Sequence, residues 1–290
     1  MKRHPDVKMI KSRWRAALGA CSILLAAAAN PVLAESPAWV VNLPAICTAE
    51  NDGLPLGISY RVVAKYPHRP GAFTQGLQFH DDHLYEGTGM VGESSLARID
   101  LESGAVLRET MLDPPYFGEG ISVLDNSIYQ LTWKLGKVFR YDLESLDQKE
   151  SFTIEGEGWG LTSDGTHLIT STGSASLTWY NEKLEAQKTV EVTVNGRPVE
   201  KLNELEWYDG CILANVLGSN DLVLINPVDG KINGILNLSH LTRHEMKLGE
   251  INVANGVAIR RSGEWPTLLV TGKYWRNIYE LLPVVAPGTR

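Results

Sequence analysis

Across residues 60–280 the chain is a succession of short runs in which apolar and polar side chains alternate, separated by turns rich in Asp, Asn and Gly. Alternation of period two over four to eight residues is the pattern of a half-buried strand, and tight turns of that composition are hairpin chemistry. The runs fall into units. The first contains Gly76-Leu77-Gln78-Phe79-His80, a turn at Asp81-Asp82, His83-Leu84-Tyr85-Glu86-Gly87, Leu96-Ala97-Arg98-Ile99-Asp100, a turn at Glu102-Ser103-Gly104, and a strand from Ala105. Similar units open near Gly120, Gly160, Leu205 and Gly256. With Leu77, Ile121, Leu161, Leu205 and Val257 taken as equivalent, the spacings are 44, 40, 44 and 52 residues. Four short strands repeated at such a period are the signature of propeller blades. The pattern predicts an all-β fold, a five-bladed β-propeller. The fifth unit has too little chain left for an outermost strand. Residues 60–66 (YRVVAKY) are expected to supply it and close the ring, which removes the exposed edges. One insert, residues 239–246, reads as a short helix between units four and five.

This topology sorts the loops. With strands counted outward from the channel, the first-to-second and third-to-fourth turns share one face and carry the tight sequences. The opposite face carries AFTQG (72–76), GTGMVGESS (87–95), YFGEG (116–120), LTWKLG (131–136), GEGWG (156–160), LNELE (202–206), VANG (253–256) and TGKYW (271–275). Aromatic, amide, carboxylate and lysine side chains collect there, and function normally lives in loops held by a rigid scaffold. The candidate set is Phe73, Gln75, Glu119, Trp133, Trp159, Asn203, Glu206, Trp207 and Lys273. Glu119 stands between two glycines at the mouth of a strand. A carboxyl group in such a pocket has a raised pKa and both donates and accepts a proton near neutral pH. The competing reading is an exported propeller that serves as a non-catalytic binding module, with aromatic plugs in the channel and a Glu206–Lys273 pair.

The N-terminal 34 residues have a different character. Lys2, Arg3, Lys8, Lys11, Arg13 and Arg15 precede an apolar run over residues 16–29 and then Pro31-Val32-Leu33-Ala34. That order describes a secretory signal peptide, and the run is short for a membrane span. Leu18-Gly19-Ala20-Cys21 resembles a lipobox, but cleavage there would leave most of the apolar run on the product, so cleavage after Ala34 is preferred. The expectation is an exported protein, periplasmic or secreted. It comprises an extended N-terminal arm (35–59) and one propeller domain (60–290). The processed chain carries 21 basic and 33 acidic side chains, a formal charge of −12. Nucleic acid or an anionic membrane would need a basic face, so neither is expected as a partner, and the protein is expected to be a monomer. Cys47 and Cys211 remain after processing. They form either a disulfide, as an oxidising compartment permits, or two separate small apolar residues.

Other chemistries find little support. Gly87-Thr88-Gly89-Met90-Val91-Gly92 matches GxGxxG, but a strand follows where a dinucleotide site needs a helix. His240 and His244 share a helical spacing without a third metal ligand nearby. There is no GxSxG elbow. No catalytic metal or other cofactor is expected, although the acidic loops would accommodate a structural calcium ion.

Five motifs in order carry a resemblance over residues 60–281. They are Phe73-Thr74-Gln75-Gly76-Leu77, Tyr116-Phe117-Gly118-Glu119-Gly120, Gly158-Trp159-Gly160-Leu161-Thr162, Leu202-Asn203-Glu204-Leu205-Glu206 and Thr271-Gly272-Lys273-Tyr274-Trp275. The chain resembles the plant and bacterial glutaminyl-peptide cyclotransferases. The resemblance implies a five-bladed propeller that converts N-terminal glutamine of peptides or proteins to pyroglutamate with loss of ammonia and without a catalytic metal. It also implies Glu119 as the proton shuttle, Gln75, Asn203 and Lys273 as groups that hold substrate and carbonyl oxygen, and Phe73, Trp133 and Trp159 as pocket walls. Glu206 and Trp207 complete the expected substrate contacts. At Leu217 the family usually carries Trp, so one aromatic wall is missing here, with Trp207 as a potential replacement.

Overall fold

The second run of each unit contains two consecutive apolar residues: Leu84-Tyr85, Ile128-Tyr129, Leu168-Ile169, Ile212-Leu213 and Leu268-Leu269. Successive side chains of a strand point to opposite faces. A sheet holding such a pair must therefore bury both faces, and the chain achieves this by setting five sheets side by side. In this computed structural model, which describes residues 37, 39–50, 53–246 and 253–285, each pair is divided between two interblade wedges. Leu84 packs with Leu77, Ala258 and Leu269 between the fifth and first blades, while Tyr85 packs with Ile121 and Phe139 between the first and second. Ile169 and Ile212 lie together between blades three and four, and Leu213 and Leu268 between four and five. The core is thus five wedges around an axis. The signal peptide expected at residues 1–34, with Cys21, lies outside the described residues.

Blades one to four are four-stranded antiparallel meanders, Thr74–His80 to Val106–Met111, Gly118–Leu124 to Gln148–Thr153, Leu161–Ser163 to Ala186–Glu191, and Leu202–Tyr208 to Ile232–Asn237. Burial falls from the axis outward: Gly118–Leu124 is buried throughout, whereas Gln148–Thr153 is largely exposed. The fifth blade takes three strands from residues 254–284 and its outermost strand from Leu56–Pro67, which pairs antiparallel with Asn277–Val284 from Ser59 to Pro67. Leu56, Gly57 and Ile58 also run parallel to the outer strand of blade four. The expected closing strand is present, and it binds two blades rather than one.

Two segments depart from the sequence reading. The N-terminal arm is not simply extended: Leu43–Thr48 is helical, capped by the Asn42 side chain accepting from Ala45 N at 3.1 Å. Leu43 and Cys47, four residues apart on one helical face, are buried in the wedge between blades four and five. Cys47 is disulfide-bonded to Cys211 across 164 residues, and Asn233 Nδ2 donates to the carbonyl oxygens of Cys47 and Ala49. A two-stranded hairpin, Thr193–Val194 with Arg197–Pro198, precedes blade four. Its Asn195-Gly196 turn has positive φ at both residues, the geometry that this dipeptide favours. The predicted insert helix is found at Ser239–Glu245.

Candidate active site

Three repeat positions build one cavity. The first lies two residues before the aligned apolar residue of each inner strand and holds Gln75, Glu119, Trp159, Asn203 and Asn255. In four blades the ladder slips there, between Thr74 and Gly76, Gly118 and Ile121, Leu202 and Leu205, and Ala254 and Val257. A bulge leaves one residue unpaired and re-aims it, and of the residues at these slips Gln75, Glu119 and Asn203 face the cavity. The second position directly follows each second strand and holds Gly89, Trp133, Thr172, Leu217 and Lys273. Each precedes a residue of positive φ: Met90, Lys134, Gly173, Gly218 and Tyr274. A positive φ recurs in all five turns, and Trp133, Leu217 and Lys273 from them line the cavity. The third position, four residues before the aligned apolar residue, holds Phe73, Phe117, Glu157, Lys201 and Val253.

The next residue inward is Gly76, Gly120, Gly160, Glu204 and Gly256. A Cβ on Gly76 would lie 2.5 Å from Ile121 N, one on Gly120 2.5 Å from Leu161 N, and one on Gly160 would overlap the Asn203 carbonyl oxygen. The inner strands of blades one to four meet backbone on backbone there and form a floor. Glu204 fills the centre, its two oxygens accepting from Leu77 N at 3.1 Å and Val257 N at 3.0 Å. Burial raises its pKa, and the nearby Glu206 adds to the effect.

Above this floor lies a cavity of about 300 Å³ lined by Phe73, Gln75, Phe117, Glu119, Trp133, Trp159, Asn203, Leu217 and Lys273. Phe117 packs edge-on against both Phe73 and Trp133, with centroids 6.0 and 5.6 Å apart. The Lys273 ammonium sits 4.7 Å from the centre of the Phe73 ring. Glu157 Oε2 accepts from the indole nitrogens of both Trp133 (2.9 Å) and Trp159 (3.0 Å), so one carboxylate sets the orientation of two walls.

Glu119 is 4% exposed, and its Oε2 has no hydrogen-bond partner among the described residues. Burial drives its pKa well above the usual carboxylate range, against the pull of Lys273 and with a contribution from Glu157. Burial likewise lowers Lys273 to about 8, opposed by Glu119. Two groups of opposite charge type thus titrate toward neutrality, the condition for proton transfer at ordinary pH. The buried Oδ1 of Asn203, which lines the cavity, also lacks a partner among the described residues. Buried acceptors without donors are uncommon in native proteins, and in this cavity Glu119 Oε2 and Asn203 Oδ1 mark where donor groups of a bound molecule would lie.

A buried ionic network holds the entry strands. His68 Nε2 lies 2.7 Å from Glu86 Oε1 and its Nδ1 2.7 Å from the Trp275 carbonyl oxygen. Both neighbours only accept, so the ring donates twice and is cationic. Arg69 and Thr74 also donate to Glu86, each at 2.6 Å. Burial would raise the Glu86 pKa, but His68 and Arg69 outweigh it and hold the group down at about 2. The network ties the segment before Gln75 to the loop that carries Lys273.

Seven of the nine expected rim residues line the cavity: Phe73, Gln75, Glu119, Trp133, Trp159, Asn203 and Lys273. Glu206 and Trp207 do not. They line a separate recess with Phe79, Asp81, Asp82, Ile259 and Arg261, beside the tight turns of the other face. The reason is strand geometry: three residues of strand span about 10 Å, which carries Glu206 from the Asn203 end past the level of Glu204 and the glycines. Glu206 accepts from Ile259 N at 3.1 Å and does not pair with Lys273. Trp207 therefore cannot replace the wall absent at Leu217. Phe117, Glu157 and Asn255 were missed by the motif reading, although each occupies the repeat position of a residue it did select.

Burial pushes the Glu206 carboxyl up to about 8, partly offset by the Ile259 amide and Arg261. A pKa raised in the folded state stabilises below the unfolded carboxyl pKa of about 4.3, and that contribution is lost as pH rises through about 8. Glu206→Gln keeps an oxygen for Ile259 N and cannot ionise. Its melting temperature is expected to fall less than that of wild type between pH 5 and 9, by several degrees at about 2–4 °C per kcal/mol. Parallel melting curves across that range would refute the assignment.

The fold and site together define a five-bladed propeller in which an aromatic-walled cavity holds a buried carboxyl and a buried amine. The sequence model of the glutamine cyclotransferase family matches residues 39–282. The glutaminyl-peptide cyclotransferase of Arabidopsis thaliana is 38% identical over 244 residues, covering 80% of this chain and 75% of the relative. The crystal structure of Myxococcus xanthus glutaminyl cyclase superposes with a TM-score of 0.75 at 33% identity, covering 80% of this chain and all of that one. The chain belongs to the glutamine cyclotransferase family.

Proposed function

We propose that this protein cyclises N-terminal glutamine of peptides and proteins to pyroglutamate with release of ammonia, and that Glu119 carries the proton. The observation that carries this reading is the buried Oε2 of Glu119, without a partner among the described residues, beside Lys273 in an aromatic pocket. The glutamine side chain would lie between Phe73, Phe117, Trp133 and Trp159. Its α-amino nitrogen attacks the side-chain Cδ, forming the ring C–N bond. Glu119 accepts a proton from the attacking nitrogen and returns it to the leaving nitrogen as the C–NH₂ bond breaks, so that ammonia departs and the carboxylate is regenerated. Lys273, Gln75 and Asn203 supply donors to the carbonyl oxygen while it carries negative charge. Holding amine and carbonyl at ring-forming distance supplies the entropic share.

The same reading has the protein exported and its catalysis independent of metal. The Cys47–Cys211 disulfide supports export, because such bonds persist in oxidising compartments. The test is pyroglutamate and ammonia formation from a Gln-initiated dipeptide by the purified protein, before and after exhaustive chelation. Turnover lost on chelation and restored by a metal would overturn the metal-independent part. No turnover on any Gln-initiated peptide would leave the binding-module reading.

Glu157 offers a finer test of the pocket. Glu157→Gln retains a carbonyl oxygen for both indoles but loses the charge that raises Glu119. Its kcat is expected to stay within about tenfold of wild type while the acidic limb of the pH profile moves to lower pH. Glu157→Ala releases both indoles, with KM expected to rise by about tenfold, equivalent to about 1.4 kcal/mol. An unshifted limb in the Gln variant would remove the electrostatic role.

A further inference from the structure

Asn255 holds the fifth blade's place in the ring formed by Gln75, Glu119, Trp159 and Asn203, and its side chain is 1% exposed. Its Nδ2 lies 3.0 Å from the Thr74 carbonyl oxygen and 3.2 Å from Gln75 Oε1. A backbone carbonyl only accepts, so the Asn255 atom facing Thr74 has to be the amide nitrogen. The second proton of that nitrogen points at Gln75, so the Gln75 atom there has to be oxygen. The amide nitrogen of Gln75 is then the end available to the cavity. The backbone next to Asn255 is held as well: Gly256 has φ +123° and donates its N–H to Asn215 Oδ1 at 3.0 Å. Asn255 Oδ1 itself is buried without a partner among the described residues. The residue is thus held with one end unsatisfied so that the other faces Thr74 and Gln75.

We infer that Asn255 is a positioning residue that fixes the sense of the Gln75 amide, so that Gln75 presents N–H donors to the carbonyl oxygen of the reacting glutamine. The inference deepens the cyclase reading and rests on it. Without Asn255, the Gln75 amide can turn over and aim Oε1 at the oxygen on which negative charge develops, which replaces an attraction with a repulsion.

The experiment measures kcat, KM and melting temperature for wild type, Asn255→Asp, Gln75→Ala and the double variant. A carboxylate at 255 only accepts, so Gln75 turns to donate to it and loses its donor in the cavity. Loss of one such donor is expected to lower kcat by about 100-fold, with KM moving far less. The double variant should lose no more than Gln75→Ala alone, because the two residues act as a unit. Additive losses, or an Asn255→Asp defect confined to KM or melting temperature, would overturn the inference. Neutron diffraction from deuterated wild-type crystals reads the amide directly, whether or not the protein turns over. Deuterons on the Gln75 atom facing the cavity support the inference, and an oxygen there overturns it. Absence of wild-type turnover would instead count against the cyclase reading, with the neutron density still deciding the amide.

Discussion

Glu119→Gln is expected to lower kcat on a Gln-initiated dipeptide by about 10²–10⁴-fold, the usual share of a positioned proton-transfer group, while melting temperature is unchanged or higher. The amide is close in size to the carboxyl and cannot accept the proton released by the attacking amine. Stability should not suffer, because burial already penalises the charged form of Glu119. The pH dependence follows from the two shifted groups. Glu119 has to be ionised to accept a proton, and its pKa is raised, so kcat should fall on the acidic side at a pH above the ordinary carboxylate range. Lys273 has to be protonated to stabilise the carbonyl oxygen, and it titrates at about 8, so kcat should also fall as pH rises through that value. A bell-shaped profile for wild type is the expected result. A Glu119→Gln variant with more than a tenth of wild-type kcat would remove Glu119 from the chemistry.

A chain truncated to begin at His68 is expected not to fold. Residues 56–67 supply the outermost strand of blade five and run beside the outer strand of blade four. Their loss opens the ring at one interface and exposes two unpaired strand edges. It also removes Leu43, Cys47 and Ile58 from the wedge between those blades and the disulfide that staples the arm to Cys211. Removing a long-loop disulfide alone costs about 2–4 kcal/mol, against a total stability of about 5–15 kcal/mol. Near-ultraviolet circular dichroism should show no fixed aromatic environment, and size exclusion should show aggregate. A soluble truncated chain with a cooperative melt would show that the propeller closes without its N-terminal strand.

The fold was legible because its determinants are local and repeated. Pairs such as Leu84-Tyr85 and Ile212-Leu213 require sheets buried on both faces, and five such units at similar spacing leave few arrangements besides a closed ring. The closing strand could be inferred from the shortage of chain in unit five. The helix Leu43–Thr48 was not legible, because six residues carry too little periodicity to separate a helix from an extended arm. Its stability comes from contacts with blade four, more than 150 residues away.

The site was legible in part. Glu119 between two glycines, and tryptophans in the loops of one face, pointed to the end of the channel where the aromatic cavity lies. Glu206 and Trp207 were misplaced because motif proximity was read as spatial proximity, whereas a strand carries each successive residue about 3.3 Å along the channel. Phe117, Glu157 and Asn255 needed the repeat position rather than residue type.

By itself the sequence determined the number of blades, the face on which unusual side chains collect, and the carboxylate around which they do so. These follow from period-two alternation and turn chemistry, which depend on neighbours along the chain. Tertiary structure decided which of those side chains share a cavity, how far Glu119 and Lys273 are desolvated, and which way the amides of Gln75 and Asn255 face. Each of these depends on atoms brought together from different blades, and no local pattern encodes such distances.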